Sequence, residues 1–175
     1  MLATVIVVLA AAVAPLHLQD TVVPPRDTAP LPPTPEQTRY LEGLRTVARG
    51  VAQLRDGIDR VARTQQSRDT VRQRQAGRRL GSLCMTARSF MASGRPRMAP
   101  AAYTDSMRII ARQLVVRIDS IVKFLPTCET TAGKKPASVA ADLLNRMRAY
   151  EMALAAFRVA LAPPRADSIK TPTQQ

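Results

Sequence analysis

Few residues in this chain have the type and spacing to do chemistry. There are two cysteines, Cys84 and Cys128, one histidine, His17, and an arginine-rich strip holding Arg60, Arg63, Arg68, Arg72, Arg74, Arg78 and Arg79. The cysteines stand 44 residues apart with no second pair, so they do not supply the four ligands of a structural zinc site. They are read as a disulfide, the other reading being two unrelated small buried side chains. Guanidinium groups crowded on one segment could bind a polyanion. Without interleaved aromatics to stack on bases, the same strip also fits a solvated helix end. His17 lies at the boundary of a segment read as an export signal, so no imidazole general base is expected in the mature fold. The acids are scattered, and no phosphate-binding loop, GxGxxG, HExxH, GxSxG or CxxCH pattern occurs. The expectation is therefore no enzyme, with no catalytic residue, cofactor or metal.

Composition narrows the partners without naming one. Lys plus Arg is 26 against 13 for Asp plus Glu, a formal net charge of +13 over 175 residues. Such a charge attracts nucleic acid, anionic lipid or acidic glycans alike. Hydrophobic residues are 46% of the chain and aromatics 3%, so a core must rest on Ala, Leu, Val, Ile and Met, which suits helix-on-helix packing.

Residues 2–14 are apolar apart from Thr4, too short for a spanning helix but matched to a signal-peptide core, and Ala12, Val13 and Ala14 form an A-x-A ending. Residues 1–14 are read as a signal peptide, or as an N-terminal membrane anchor if they are retained. The exported chain would then be periplasmic or secreted, where a disulfide persists. Residues 15–33, rich in Pro and Thr, read as a flexible spacer, 34–162 as a helical bundle, and 163–175 as a disordered tail.

The expected fold is all-α: an uneven antiparallel bundle of three to four helices, three long and one short, with no strands. Thr34, Pro35, Glu36 and Gln37 form a capping box with proline at the first helical position. Leu44, Val47, Val51, Leu54, Ile58 and Val61 follow in steps of three and four. Past Ala62 that repeat fades, and the helix is expected to run on until Gly77 or Gly81 breaks it. Leu80, Leu83, Cys84, Ala87, Phe90 and Met91 restore a short apolar face, stopped near residues 93–96. The most apolar stretch, 106–126, is expected to be the central helix, with Pro100 a candidate for its opening and Pro126 its end. Gly133 and Pro136 read as a turn, Ser138 as the cap of a last helix carrying Ala140, Leu143, Met147, Tyr150, Leu154, Phe157 and Leu161. A tight hairpin between the second and third helices would leave the sulfurs apart, so a disulfide predicts an extended connection at 94–100.

The four residues of the capping box, following an export signal, also resemble the LTxxQ opening of Spy-like periplasmic chaperones, small basic helical proteins that dimerise into a cradle. Pro33 stands where that motif has Leu, the motif occurs once, and capping alone accounts for the four residues. The resemblance implies a protein-binding module. Three roles stay open: an exported, non-enzymatic protein-binding or assembly module, with an unknown protein partner or self-association and an adaptable surface drawn from Met85, Met91, Met98, Met107, Met147 and Met152; an electrostatic binder acting through 60–79; and a membrane-anchored structural subunit, if 1–18 is kept.

Overall fold

The computed structural model describes residues 32–162, so the signal peptide or anchor, most of the spacer and the C-terminal tail expected from the sequence lie outside the described residues. Four helices account for nearly all of the rest: α1 (Pro35–Gln65), α2 (Thr70–Gly94), α3 (Asp105–Thr131) and α4 (Pro136–Leu161). No strand occurs among the described residues. The fold is an all-α bundle.

The start of α1 is set locally. Thr34 Oγ1 accepts from the Gln37 amide at 3.3 Å and Gln37 Oε1 accepts from the Thr34 amide at 3.1 Å, with Pro35 at the first helical position. Two orphan donors are thereby satisfied reciprocally.

The end of α1 corrects the expectation of a helix running on to Gly77 or Gly81. The chain turns at 66–69, where the Asp69 carboxylate accepts from the amides of Val71 at 2.9 Å and Arg72 at 3.1 Å and so caps α2. The arginine strip is thus folded back on itself between two helices. It also follows that the bundle is not uneven: the helices have 31, 25, 27 and 26 residues.

Gly77 and Gly81 lie buried inside α2 for a packing reason. A methyl group on Gly77 would overlap the Ala132 carbonyl oxygen, and one on Gly81 would stand 3.1 Å from that of Glu129. Glycine here lets the end of α3 approach the α2 backbone.

The same device joins α1 to α2. Gly43, Val47, Gly50, Leu54, Gly57 and Val61 are all buried and recur in alternating steps of four and three, and the three glycines meet Gly94, Ala87 and Leu80 of α2, which are themselves spaced by seven. A side chain on Gly50 would meet Ala87 and one on Gly57 would meet Leu80, so this is a coiled-coil-like seam in which every second position of α1 is glycine.

Cys84 and Cys128 are joined as a disulfide with Cα atoms 6.2 Å apart, both sulfurs fully buried. Cys84 lies mid-way along α2 and Cys128 in the last turn of α3, rather than near a helix start and past a helix end. At ~1.5 Å per residue, Cys84 is about 15 Å from the end of α2 and Cys128 about 35 Å from the start of α3. The connection takes up the difference. It runs through short 3-10 turns at Arg95–Arg97 and Pro100–Ala102, buries Met98 beside Gly43, and then places Tyr103 against Tyr40 one turn nearer the start of α1. The long connection that the disulfide demands is present.

Three further boundaries differ from the sequence reading. Pro100 opens a 3-10 turn and not α3, which begins at Asp105 with a positive φ of 47°, a conformation Asp tolerates better than most residues. Pro126 lies inside α3 instead of ending it. Leu125, Cys128 and Ala132 continue the buried face beyond it while Pro126 itself faces solvent, so packing and the disulfide carry the helix past one missing donor. Finally, α4 is opened by Pro136 at its first position, with Lys135 and not Ser138 preceding the helix.

A single core draws on all four helices. At one end Tyr40, Tyr103 and Phe157 pack with ring centroids 5.1 to 5.6 Å apart, and Tyr40 Oη donates to the Ala111 carbonyl at 3.1 Å, tying α1 to α3. Arg95 and Asp119 pair through two hydrogen bonds of 2.6 and 2.9 Å, holding the connection to α3.

Candidate functional site

Toward the turn at 66–69, an open groove of about 790 Å³ lies between α1 and α2. Beyond Val61 on α1, and before Gly77 on α2, neither helix buries a large apolar side chain. Arg60 and Arg63 line the groove from α1, and Arg72, Arg78 and Arg79 from α2. Thr64, Gln75 and Ser82 add hydroxyl and amide groups.

Of the seven arginines marked in the sequence, these five are brought together. Arg68 sits in the turn and Arg74 on α2, both exposed, and neither lines the groove. The helical period separates them: Arg72, Gln75, Arg79 and Ser82 recur at steps of three and four, and Arg74 falls between. Reading the strip as linear charge misses Thr64, Gln75 and Ser82, whose spacing to the arginines is the signal that they share the face.

No acidic side chain lines the groove. Arg60 pairs with Asp56 at 2.9 Å, one turn back on α1, and Arg72 with Asp69 at 3.2 Å. Both pairs are exposed, contribute on the order of 0 to 1 kcal/mol, and are readily exchanged for another anion. Arg63, Arg78 and Arg79 make no ion pair among the described residues. The result is a concave surface of several guanidinium groups, each able to offer a planar fork of donors to phosphate, sulfate or carboxylate oxygens. The lining has no aromatic ring on which a base could stack. It holds no general base beside a hydroxyl, and among the described residues no three His, Cys, Asp or Glu side chains gather as metal ligands.

The methionines do not make a common surface. Met91, Met98 and Met147 are fully or almost fully buried and Met107 half-buried, leaving only Met85 and Met152 exposed among the described residues, on different helices. No described helix is long and apolar enough to cross a membrane.

Comparison with protein-family models, with curated proteins and with solved structures yields no match.

Proposed function

We propose that the protein is an exported, non-enzymatic binding module whose α1/α2 groove holds an anionic polymer rich in phosphate or sulfate groups. The observation that carries this reading is the convergence of Arg60, Arg63, Arg72, Arg78 and Arg79 from two helices on one concavity that no acid lines. A merely solvated helix end has no need to gather its charges in this way. The absence of aromatic lining favours a ligand recognised by its charge density over single-stranded nucleic acid read through its bases. Export is part of the proposal: a buried disulfide persists in an oxidising compartment and is rare in the cytosol. Attachment to a membrane would fall to residues 1–18, since no described helix can span one.

The test is binding of a fluorescently labelled polyphosphate chain to the purified full chain across a salt series. The logarithm of affinity should fall linearly with the logarithm of salt, with roughly one unit of slope for each anionic group neutralised. Replacing Arg63, Arg78 and Arg79 together by Gln should weaken binding and flatten that slope by about three units. The same replacement at Arg39, Arg45 and Arg49, exposed on α1, controls for net charge. Equal losses in the two triple variants would remove the groove from the proposal.

A further inference from the structure

The outer face of the α3/α4 hairpin carries a second, differently built furrow of about 470 Å³. Its floor is small and apolar, with Ala149, Ala153 and Ala156 from α4, and its walls are Val116 and Met152. Both wall residues are exposed, by 54% and 69%, although each is large and apolar. About two helical turns along the hairpin, Ile109 on α3 and Val159 on α4 extend the same two lines and are 61% and 76% exposed. Four of the large exposed apolar side chains of the described residues therefore lie along one hairpin.

The reason lies in α4. Its apolar residues do not keep to one side: Val139, Ala140, Leu143, Met147, Tyr150 and Phe157 face the core, yet Ala149, Met152, Ala156 and Val159 lie outside it. A helix apolar on both sides is built for neighbours on both sides, and in this fold only one side has them.

Charge selects the occupant. The rims of the furrow carry Arg112 and Arg117, Arg148 lies exposed on α4 nearby, and none of the three has an ion-pair partner among the described residues. The neighbouring acids are turned elsewhere: Asp119 to Arg95, and Glu151 to Arg55. A second copy of this chain docking through the same face would bring these arginines against their own kind, and a neutral apolar surface would leave them unpaired. We infer that the α3/α4 furrow receives an amphipathic helix of another protein, whose apolar stripe lies on the alanine floor between Val116 and Met152 and whose flanking Asp and Glu residues meet Arg112, Arg117 and Arg148. The small floor residues let the incoming backbone approach, apolar anchors supply affinity, and the rim charges set orientation and exclude basic partners.

The probe is a synthetic helical peptide of about 20 residues, Leu at i, i+3 and i+4 spacing and Glu elsewhere, read by fluorescence anisotropy against the full chain. A scrambled peptide of identical composition has the charge without the stripe. The amphipathic peptide should bind at least about tenfold more tightly than the scrambled one, and Met152→Glu or Val116→Glu should abolish that preference. Both substitutions fall on exposed positions, so circular dichroism should stay unchanged. Reversal of Arg112 and Arg117 to Glu should turn the preference toward a peptide with Lys in place of Glu. Equal binding of the two acidic peptides, or loss of binding through Arg63, Arg78 and Arg79 in place of the furrow, would overturn the inference. So would concentration-dependent dimerisation of the wild-type chain that Met152→Glu abolishes, because the furrow would then belong to a second copy.

Discussion

Gly94 on α2 lies directly against Gly43 on α1, so close that a methyl group on Gly43 would stand 2.7 Å from the Gly94 carbonyl oxygen, and one on Gly94 2.6 Å from that of Gly43. The obstacle in each case is helical backbone, which cannot swing aside. Gly43 also backs onto Arg97 and Met98, so this one contact fixes the α1/α2 seam and the start of the long connection together.

Glycine inside an exposed helix normally costs about 1 kcal/mol relative to alanine, and replacing it stabilises. Here the sign should reverse. Gly43→Ala and Gly94→Ala should each destabilise by about 1 to 3 kcal/mol, the range for forcing extra atoms into a packed contact. Gly57→Ala should cost less, because its nearest obstacle is the Leu80 Cδ1 methyl, the movable end of a side chain. Gly133→Ala, with only Arg78 Cγ at 3.4 Å, should be close to neutral. Urea midpoints of the four variants test the order, and a stabilised Gly43→Ala would show that the seam is looser than drawn.

That seam explains how the sequence could be half read. The Val47, Leu54 and Val61 repeat is legible because large apolar side chains mark it, but Gly43, Gly50 and Gly57 complete the same heptad as absences of side chain. Glycine as a marker of breaks then puts the end of α1 at Gly77 or Gly81, whereas α1 ends at Gln65 and Asp69, the sole acid in 63–79, caps the start of α2. The charge of the strip was visible in the sequence. Its division into groove-lining and outward arginines was not, since that depends on where the chain reverses.

The disulfide closes a loop with a sequence separation of 44, for which chain entropy alone gives a stabilisation of about 4 kcal/mol. A Cys84→Ala, Cys128→Ala variant should lose most of this, with a small further loss from the space left at two fully buried positions. Denaturant midpoints of the oxidised protein, the reduced protein and the double variant should show the last two falling together. Non-reducing peptide mapping of the purified chain should recover the two cysteines in one linked fragment.

Stability should fall in alkali above about pH 10, the ordinary pKa of tyrosine. Burial, and then the neighbouring Tyr103, hold the Tyr40 phenol well above that value; burial raises Tyr103; and burial raises Tyr150 against the opposing pull of Arg158 and Arg55. The folded state therefore keeps protons that the unfolded chain releases. The stabilisation is complete below about pH 10 and is lost progressively as pH rises toward the folded-state values. Urea midpoints at pH 8, 9, 10 and 11 should be level and then decline. The decline should be shallower in Tyr150→Phe, since its hydroxyl is buried with no hydrogen-bond partner among the described residues and its removal costs little.

Pro126 offers the opposite experiment, a change that should strengthen the fold. Within α3 it withholds one backbone donor and crowds the preceding turn, at a cost of about 3 kcal/mol in a regular helix interior. Its ring faces solvent, so no packing is lost when it is removed. Alanine there should restore the bond to the Val122 carbonyl, offset by the greater freedom of the unfolded chain, which proline restricts by about 0.4 to 1 kcal/mol. The net expectation is a gain of about 2 kcal/mol, read as a higher urea midpoint with an unchanged slope. Cys128 lies only two residues beyond, however, so any bend that the proline imposes would bear on how the last turn of α3 meets α2. Measuring Pro126→Ala in both redox states separates the two effects. A gain in the reduced protein that vanishes in the oxidised one means that the bend serves the disulfide, and a gain of equal size in both means that the helix reaches Cys84 equally well when straight.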